Sequence, residues 1–327
     1  MKKFYFFLFS VFILSILPVS DSEAQVDNVF WFVAPEVTSS HGDHPVSFRI
    51  TALDQDAEVT ISMPAGGFSE TITIPANTQY NYEGLSNLDL IENRPADQVL
   101  NKGILITSDV DITVYYDVAP SNNPDKFTLK GRNGLGTEFL VPSQTAFDNH
   151  QYSPPARERI DIVATEDGTT VEVVLTDDVI GHNAGETVTI NLNRGQTYSL
   201  WATQAGEQAH RHLGGTEITS NHPIAVTISD DSIERPADPG HWDLIGDQLI
   251  PTDLLGTEYI AMHTLYRQDI TTDQKVYVMA VEDDTYLFVN GDERATLDRG
   301  EMEELNIGNN AALYITSDKP VYVYQVT

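Results

Sequence analysis

Three segments that recur in the same order in three copies constrain the fold of this chain more than any other feature. The last segment in each copy begins with Ile-Thr-Ser, at residues 106, 218 and 315, followed by Asp or Asn and an apolar run. Residue 50 aligns with 162 and residue 106 with 218, so both pairs keep an offset of 112 residues. Segments that recur in register over such a distance indicate copies of one folded module. The matching segments are 30–33, 136–140 and 256–260; then 50–61, 162–173 and 278–289; and last 106–114, 218–226 and 315–323.

Within each copy, apolar residues alternate with polar ones. Val59, Ile61 and Met63 form one such run, and residues 188–192 form another. A period of two predicts strands with one buried face, and the Asp-Gly pair at 167–168 predicts a tight hairpin. Short strands at turn-separated intervals are typical of sandwiches and barrels. We therefore predict an all-β fold of tandem β-sandwich-like modules in three internal copies; the alternative is that the repeats pack as blades around a common axis.

Two segments rich in Pro, Gly and Asp separate the predicted modules. We expect the modules to be beads with separate cores that touch through the apolar residues near Trp242, Leu244 and Ile245. The sequence stops as the last strand finishes, so we expect the third copy to be truncated and the native protein to continue beyond Thr327. The predicted order is signal peptide 1–24, module 25–119, linker 120–135, module 136–231, linker 232–255 and module 256–327.

The amino terminus has the pattern of a secretory signal peptide. Lys2 and Lys3 precede an apolar stretch over 4–19, and the small residues Ser22 and Ala24 suit cleavage after Ala24. The stretch is short for a spanning helix, although an uncleaved anchor is the alternative. We predict a secreted or extracellular protein, attached to the cell surface or free, with no transmembrane segment in the mature chain. The sequence has no Cys, so neither disulfides nor a lipid on cysteine can hold it.

Charge and motifs narrow the function classes. The 49 acidic and 18 basic residues give a net charge of −31, which disfavours nucleic acid and anionic membranes as partners. The sequence contains no Gly-x-Ser-x-Gly elbow, no cysteine nucleophile and no phosphate-binding loop. We therefore predict that the protein is not an enzyme and needs no cofactor. A glycosidase with paired carboxylates is the remaining enzymatic alternative.

Acidic residues and histidines are the candidate metal ligands. The acidic residues fall at the same turn of each copy, where Asp side chains bond the backbone; calcium binding is the alternative interpretation. The two histidine pairs lack the third and fourth ligands that zinc needs, so we predict exposed loop histidines. These residues are Asp54, Asp56, Glu166, Asp167, Glu282, Asp283 and Asp284 in the turns, and His41, His44, His210 and His212, the last two on one face of a predicted strand.

Paired tyrosines on predicted strands are the remaining candidates. Exposed tyrosines stack on sugars and anchor protein interfaces, whereas cross-strand packing is the structural alternative. The pairs are Tyr80 and Tyr82, Tyr115 and Tyr116, and Tyr322 and Tyr324. No binding residue can be assigned from the sequence, and oligomeric state cannot be predicted.

Nearly the whole mature chain resembles a known family, through motifs that lie between residues 164 and 260. Residues 243–251 (DLIGDQLIP) with 255–260 (LGTEYI), and residues 164–171, 192–196 and 218–220, are similar to the amino-terminal domain of the IgGFc-binding protein family. The leader, the acidity and the lack of cysteine resemble the bacterial, Bacteroidetes-type surface proteins of that family, and the likeness extends over about 28–327. The resemblance implies an extracellular binding or adhesion module with a protein or glycan ligand. It implies neither Fc binding nor any site residue, and a structural spacer of a larger surface protein is the alternative function.

Overall fold

Strands dominate the computed structural model, which describes residues 25–203, 212–234, 240–264, 274–308 and 311–326. The all-β prediction is confirmed. The predicted signal peptide and His210 lie outside the described residues. Among those described, no helix has the length and apolar character needed to cross a membrane.

The first unit, residues 25–134, is built around one long strand. The amino-terminal half of β6 pairs with β1 and β3, and its carboxyl-terminal half pairs with β2 and β7, which gives the order β4-β3-β6-β2-β5 along the main path. The elements are β1 (Asp27–Phe32), β2 (Val46–Ala52), β3 (Ala57–Met63), β4 (Phe68–Ile74), β5 (Gln79–Tyr82), the single-turn helix α1 (Leu88–Ile91), β6 (Ile104–Val118), β7 (Asp125–Thr128) and a 3₁₀ turn (Gly131–Gly134). The alternating side chains of β3 are buried as predicted, and they face a core rich in Phe, Ile and Val.

The second unit, residues 135–250, has the strand order β12-β11-β14-β10-β13, with β8, β9 and β15 also paired to the long strand β14. Its strands are β8 (Leu135–Leu140), β9 (Asp148–Asn149), β10 (Glu158–Ala164), β11 (Thr169–Val174), β12 (Thr187–Leu192), β13 (Thr197–Trp201), β14 (Glu217–Glu234) and β15 (Trp242–Gln248). β12 alternates between exposed and buried residues as its sequence predicts. Pro223 lies inside β14, next to an irregularity in the β8–β14 register, where a missing N–H is tolerated.

In the third unit, residues 251–326, two separate strands take the place of the long strand found in each of the first two units. Pro320 separates β21 from β22, and the strands form two sheets with orders β16-β21-β18-β19 and β20-β17-β22. A 3₁₀ turn (Thr252–Leu254) precedes the strands, which are β16 (Glu258–Met262), β17 (Gln274–Ala280), β18 (Thr285–Val289), β19 (Asp292–Leu297), β20 (Met302–Ile307), β21 (Ala312–Ser317) and β22 (Val321–Val326).

Each unit has its own hydrophobic core, and smaller apolar clusters join neighbouring units. The segments 120–135 and 232–255, predicted as linkers, contain the paired strands β7 and β15. Leu244 of β15 reaches into the core of the first unit, so β15 packs against that unit as well as pairing with β14. The three internal copies and their domain boundaries stay predictions.

The first and second units meet through buried polar groups. Every residue of β10 is buried, because its second face, with Arg159 and Asp161, packs towards the first unit. The Arg159 guanidinium donates to Glu36 of the first unit and lies 4.7 Å from the centre of the Trp201 ring. Asn93 of the first unit donates to Asp161 Oδ1 at 2.8 Å. Simple alternation therefore fails on β10 because charged side chains are buried between units.

Candidate binding cleft

A cleft of about 550 Å³ lies where all three units meet. Strand β22 of the third unit forms one wall, and β15 of the second unit forms another. Pro124, Asp125 and Lys130 of the first unit also line it. The volume is in the range of pockets that bind small molecules or side chains of a partner.

Tyrosines supply the aromatic surface of this cleft. Tyr322 and Tyr324 are two residues apart on β22, so the pleat directs both side chains to the same face. The Tyr322 hydroxyl accepts a hydrogen bond from the Ile250 backbone, and burial raises the pKa of Tyr322 well above its ordinary value. Tyr259 donates to the Val321 carbonyl at 2.9 Å and accepts from the Gly256 N–H at 2.7 Å. Of the tyrosines predicted as candidates, only the β22 pair lines the cleft.

Aspartates give the cleft its negative charge. Asp125 Oδ1 accepts from the Lys126 N–H at 2.7 Å, and the carboxyl group also accepts a hydrogen bond from the backbone of Gly246. Burial, reinforced by the charges of Asp247 and Asp243, raises the pKa of Asp125 to about 7. Asp247 pairs with Lys130 at 2.6 Å, and burial raises its pKa as well. The aspartates that line the cleft favour a ligand that brings an N–H donor or a cation.

A second polar cluster lies buried in the second unit, between the start of β10 and the end of β14. His212 Nδ1 is 3.1 Å from Glu158 Oε2 and 3.9 Å from Asp230 Oδ2. Burial lowers the pKa of His212, but the hydrogen bond and charge of Glu158 and the charge of Asp230 outweigh it and raise the pKa to about 9. Burial and the Glu158 charge raise the pKa of Asp230 to about 6.

The ligand atoms of Glu158, His212 and Asp230 lie within 4.8 Å of one another, a spacing that a metal ion can bridge. Protein groups already occupy their carboxylate oxygens. Glu158 accepts from Ser143 Oγ and the Leu213 N–H, and Asp230 accepts from the side-chain amides of Gln144 and Asn149. We interpret the cluster as an ion-paired network in which the imidazolium neutralises two buried acids. His212 lies in a loop, so its predicted place on a strand is wrong.

The other sequence candidates serve the local structure. In each acidic turn, one carboxylate accepts a backbone N–H from the facing turn: Asp56 from Ala76, Asp167 from Arg194, and Asp283 from Arg299. His44 pairs with its neighbour Asp43, while His41 stacks on Tyr152, so this histidine pair does not converge. Tyr80 is exposed, Tyr115 lies under Lys126, and Tyr82 and Tyr116 are buried in the first unit.

Sequence reasoning missed Asp125, Asp247 and Tyr259. The first two lie in segments predicted as linkers, and only the fold brings them to β22. The apolar–polar alternation of Trp242, Asp243 and Leu244 is a strand signal that was available in the sequence.

The part of the chain that contains the cleft matches a known protein family. The profile of the family described as IgGFc binding protein matches residues 125–327. The chain belongs to the IgGFc-binding protein family. Apart from Pro124, every residue that lines the cleft falls within the matched range. The match is shorter than the resemblance predicted over 28–327, because most of the first unit lies outside it. No curated protein matches the chain.

Membership of the IgGFc-binding protein family is consistent with a binding module. The family's name concerns binding and specifies no residue of this chain. The match covers the whole of β14, β15 and β22, which build the cleft.

Proposed function

We propose that this chain is an extracellular or cell-surface binding module, and that a protein partner occupies the cleft between β15 and β22. The family membership supports a binding role, and the predicted signal peptide supports export. The observation that carries the proposal is the cleft itself, where tyrosines adjoin the carboxylates of Asp243 and Asp247. Tyrosines are common at the centres of protein interfaces because they have a large apolar ring and one polar group.

A Ser–His–Asp cluster among the described residues lacks the arrangement of a hydrolytic triad. His41 Nδ1 lies 3.2 Å from Ser232 Oγ, and Ser232 Oγ donates to Asp231 Oδ1 at 3.0 Å. In a hydrolytic triad the acid orients the histidine, whereas here it holds the serine. Ser232 is also fully buried and inaccessible to a substrate. We propose on this basis that the protein acts without catalysis.

Binding of the purified chain to an array of extracellular proteins and surface glycans tests this function. The informative variant is Asp243→Lys, because Asp243 is an exposed residue that lines the cleft. Its matched control is Asp253→Lys, which makes the same charge change at an exposed position outside the cleft. We expect binding to a protein target that Asp243→Lys weakens and Asp253→Lys leaves unchanged.

Two results would contradict the proposal. If the chain binds no protein, a structural spacer becomes the better account. If it binds only glycans, with the same loss in Asp243→Lys, the cleft is a carbohydrate site.

A further inference from the structure

Lys130 and Asp247 form an ion pair that joins the first unit to the second. Lys130 Nζ lies 2.6 Å from Asp247 Oδ2, although the two residues are 117 positions apart in the sequence. The side chain of Lys130 is largely buried, and that of Asp247 is half-buried. The Lys130 N–H also donates to Gln248 Oε1 at 2.8 Å, which fixes the backbone of Lys130 beside the end of β15. The fold therefore holds one amine and one carboxyl group in contact.

The two carboxyl oxygens of Asp247 have different surroundings. Oδ2 faces the amine of Lys130, whereas Oδ1 accepts from the Gln248 N–H at 2.8 Å and from the Thr128 N–H at 3.3 Å. Two N–H groups that donate to one carbonyl oxygen stabilise the negative charge that develops there when a nucleophile adds to the carbon. Burial also raises the pKa of Asp247, which favours the carboxylic acid, the form that an amine attacks.

A second buried acid lies beside this pair. The carboxyl group of Asp125 accepts a hydrogen bond from the backbone of Gly246, the residue before Asp247. Burial, reinforced by the charge of Asp247, raises the pKa of Asp125 to about 7. Asp125 therefore holds a proton in part of the molecules at neutral pH, close to two groups that exchange protons when they react.

We infer that Lys130 and Asp247 join in an isopeptide bond that links the first unit covalently to the second. Lys130 passes one proton to Asp247 Oδ2, and the neutral amine then adds to Cγ while Oδ1 takes the negative charge. The Cγ–Oδ2 bond breaks, and Oδ2 leaves as water with two of the three Nζ protons. The third proton stays on the amide nitrogen, so the reaction consumes no co-reactant.

The fixed geometry is what makes this condensation favourable. Reacting groups that a fold holds in contact reach effective molarities of about 10⁵–10⁸ M. The chain has no Cys, so a disulfide cannot make the same connection. The bond replaces an ion pair whose net charge is already zero, and Asp243 keeps its carboxylate. The inference therefore does not depend on which partner occupies the cleft.

Tandem mass spectrometry of tryptic peptides from the purified, unfolded chain tests the bond. Trypsin does not cleave after an acylated lysine, so we expect a branched peptide in which residues 127–132 are joined to residues 212–267. Its mass should equal the sum of the two linear peptides less one water molecule. The position of the branch distinguishes the bond from an aspartimide at Asp167-Gly168, which also loses one water molecule.

The protein variants are Lys130→Arg and the matched control Lys275→Arg. The guanidinium of Arg retains an ion pair with Asp247 but stays protonated and is not a nucleophile. Lys275→Arg makes the same change in the ion pair with Glu304. We expect the intact wild type and Lys275→Arg to be lighter than their sequences by one water molecule, and Lys130→Arg to have its full sequence mass.

Two results would overturn the inference. One is recovery of the linear peptide 127–130, with a free Lys130 amine, as the main product from folded wild type. The other is a deficit of one water molecule that persists in Lys130→Arg. The digest of the wild type decides the question even if Lys130→Arg does not fold.

Discussion

Replacing Asp161 with Asn removes a buried carboxyl group whose ionisation opposes folding. Asp161 is fully buried on β10, and burial raises its pKa from 3.8 to about 7 despite hydrogen bonds from Ser199 and Asn93. A raised pKa means that the folded state binds the proton more tightly than the unfolded chain does. The free energy of unfolding therefore falls as the pH rises from the unfolded pKa through the folded one.

The expected size of the effect follows from these two pKa values. The full change corresponds to about 4 kcal/mol, of which roughly 2.5 kcal/mol is lost between about pH 5 and about pH 8. Asn cannot ionise, and its amide oxygen can still accept from Asn93. Between about pH 5 and about pH 8, the free energy of unfolding of the wild type should therefore fall by roughly 2.5 kcal/mol more than that of Asp161→Asn.

Urea unfolding followed by tryptophan fluorescence measures this difference. Trp201 is a suitable reporter, because its ring nitrogen donates to Ser199 Oγ at 2.6 Å beside Asp161. Asp54→Asn is the matched control, since Asp54 is exposed in an acidic turn. If the wild type and Asp161→Asn lose stability equally between the two pH values, the carboxyl is ionised throughout and the reasoning from burial is wrong.

Three further predictions concern other parts of the molecule. His212→Gln leaves two buried carboxylates without their cation and should lower the free energy of unfolding by about 3–5 kcal/mol, measured by chemical unfolding. Because the pKa of His212 is raised to about 9, this loss should be complete below the ordinary pKa of 6.5 and should fade as the pH rises through 9. Gly246→Ala places a Cβ 2.4 Å from a Phe127 ring carbon and should destabilise by about 1–3 kcal/mol, whereas Gly256→Ala, with no neighbour nearer than 3.5 Å, should not. Melting temperatures with calcium and with chelator should agree, because backbone N–H groups already occupy the acidic turns; a rise with calcium would indicate a metal site.

Local patterns predicted the strands because each strand buries one face within its own unit. The alternation of β3 and β12 follows the sequence directly. It fails on β10, where Arg159 and Asp161 are buried against the first unit. No local pattern distinguishes a charged residue facing solvent from one facing another unit.

The cleft could be predicted only in part, for a related reason. Tyr322 and Tyr324 were recognisable as a strand pair, and their alternation places them on one face. Asp125 and Asp247 are 122 residues apart in the sequence, and their proximity depends on how β7, β15 and β22 pack together. The composition also gave an incomplete interpretation: the two segments rich in Asp, Gly and Pro were predicted to be linkers, although they contain β7 and β15.

The position of Leu244 has a consequence for the order in which the protein matures. The preceding residue of the first core is Leu129, which is 115 positions earlier (244 − 129). The first core therefore lacks one of its buried side chains in any chain that ends before residue 244. The part of the polypeptide made first is completed only after the part that follows it.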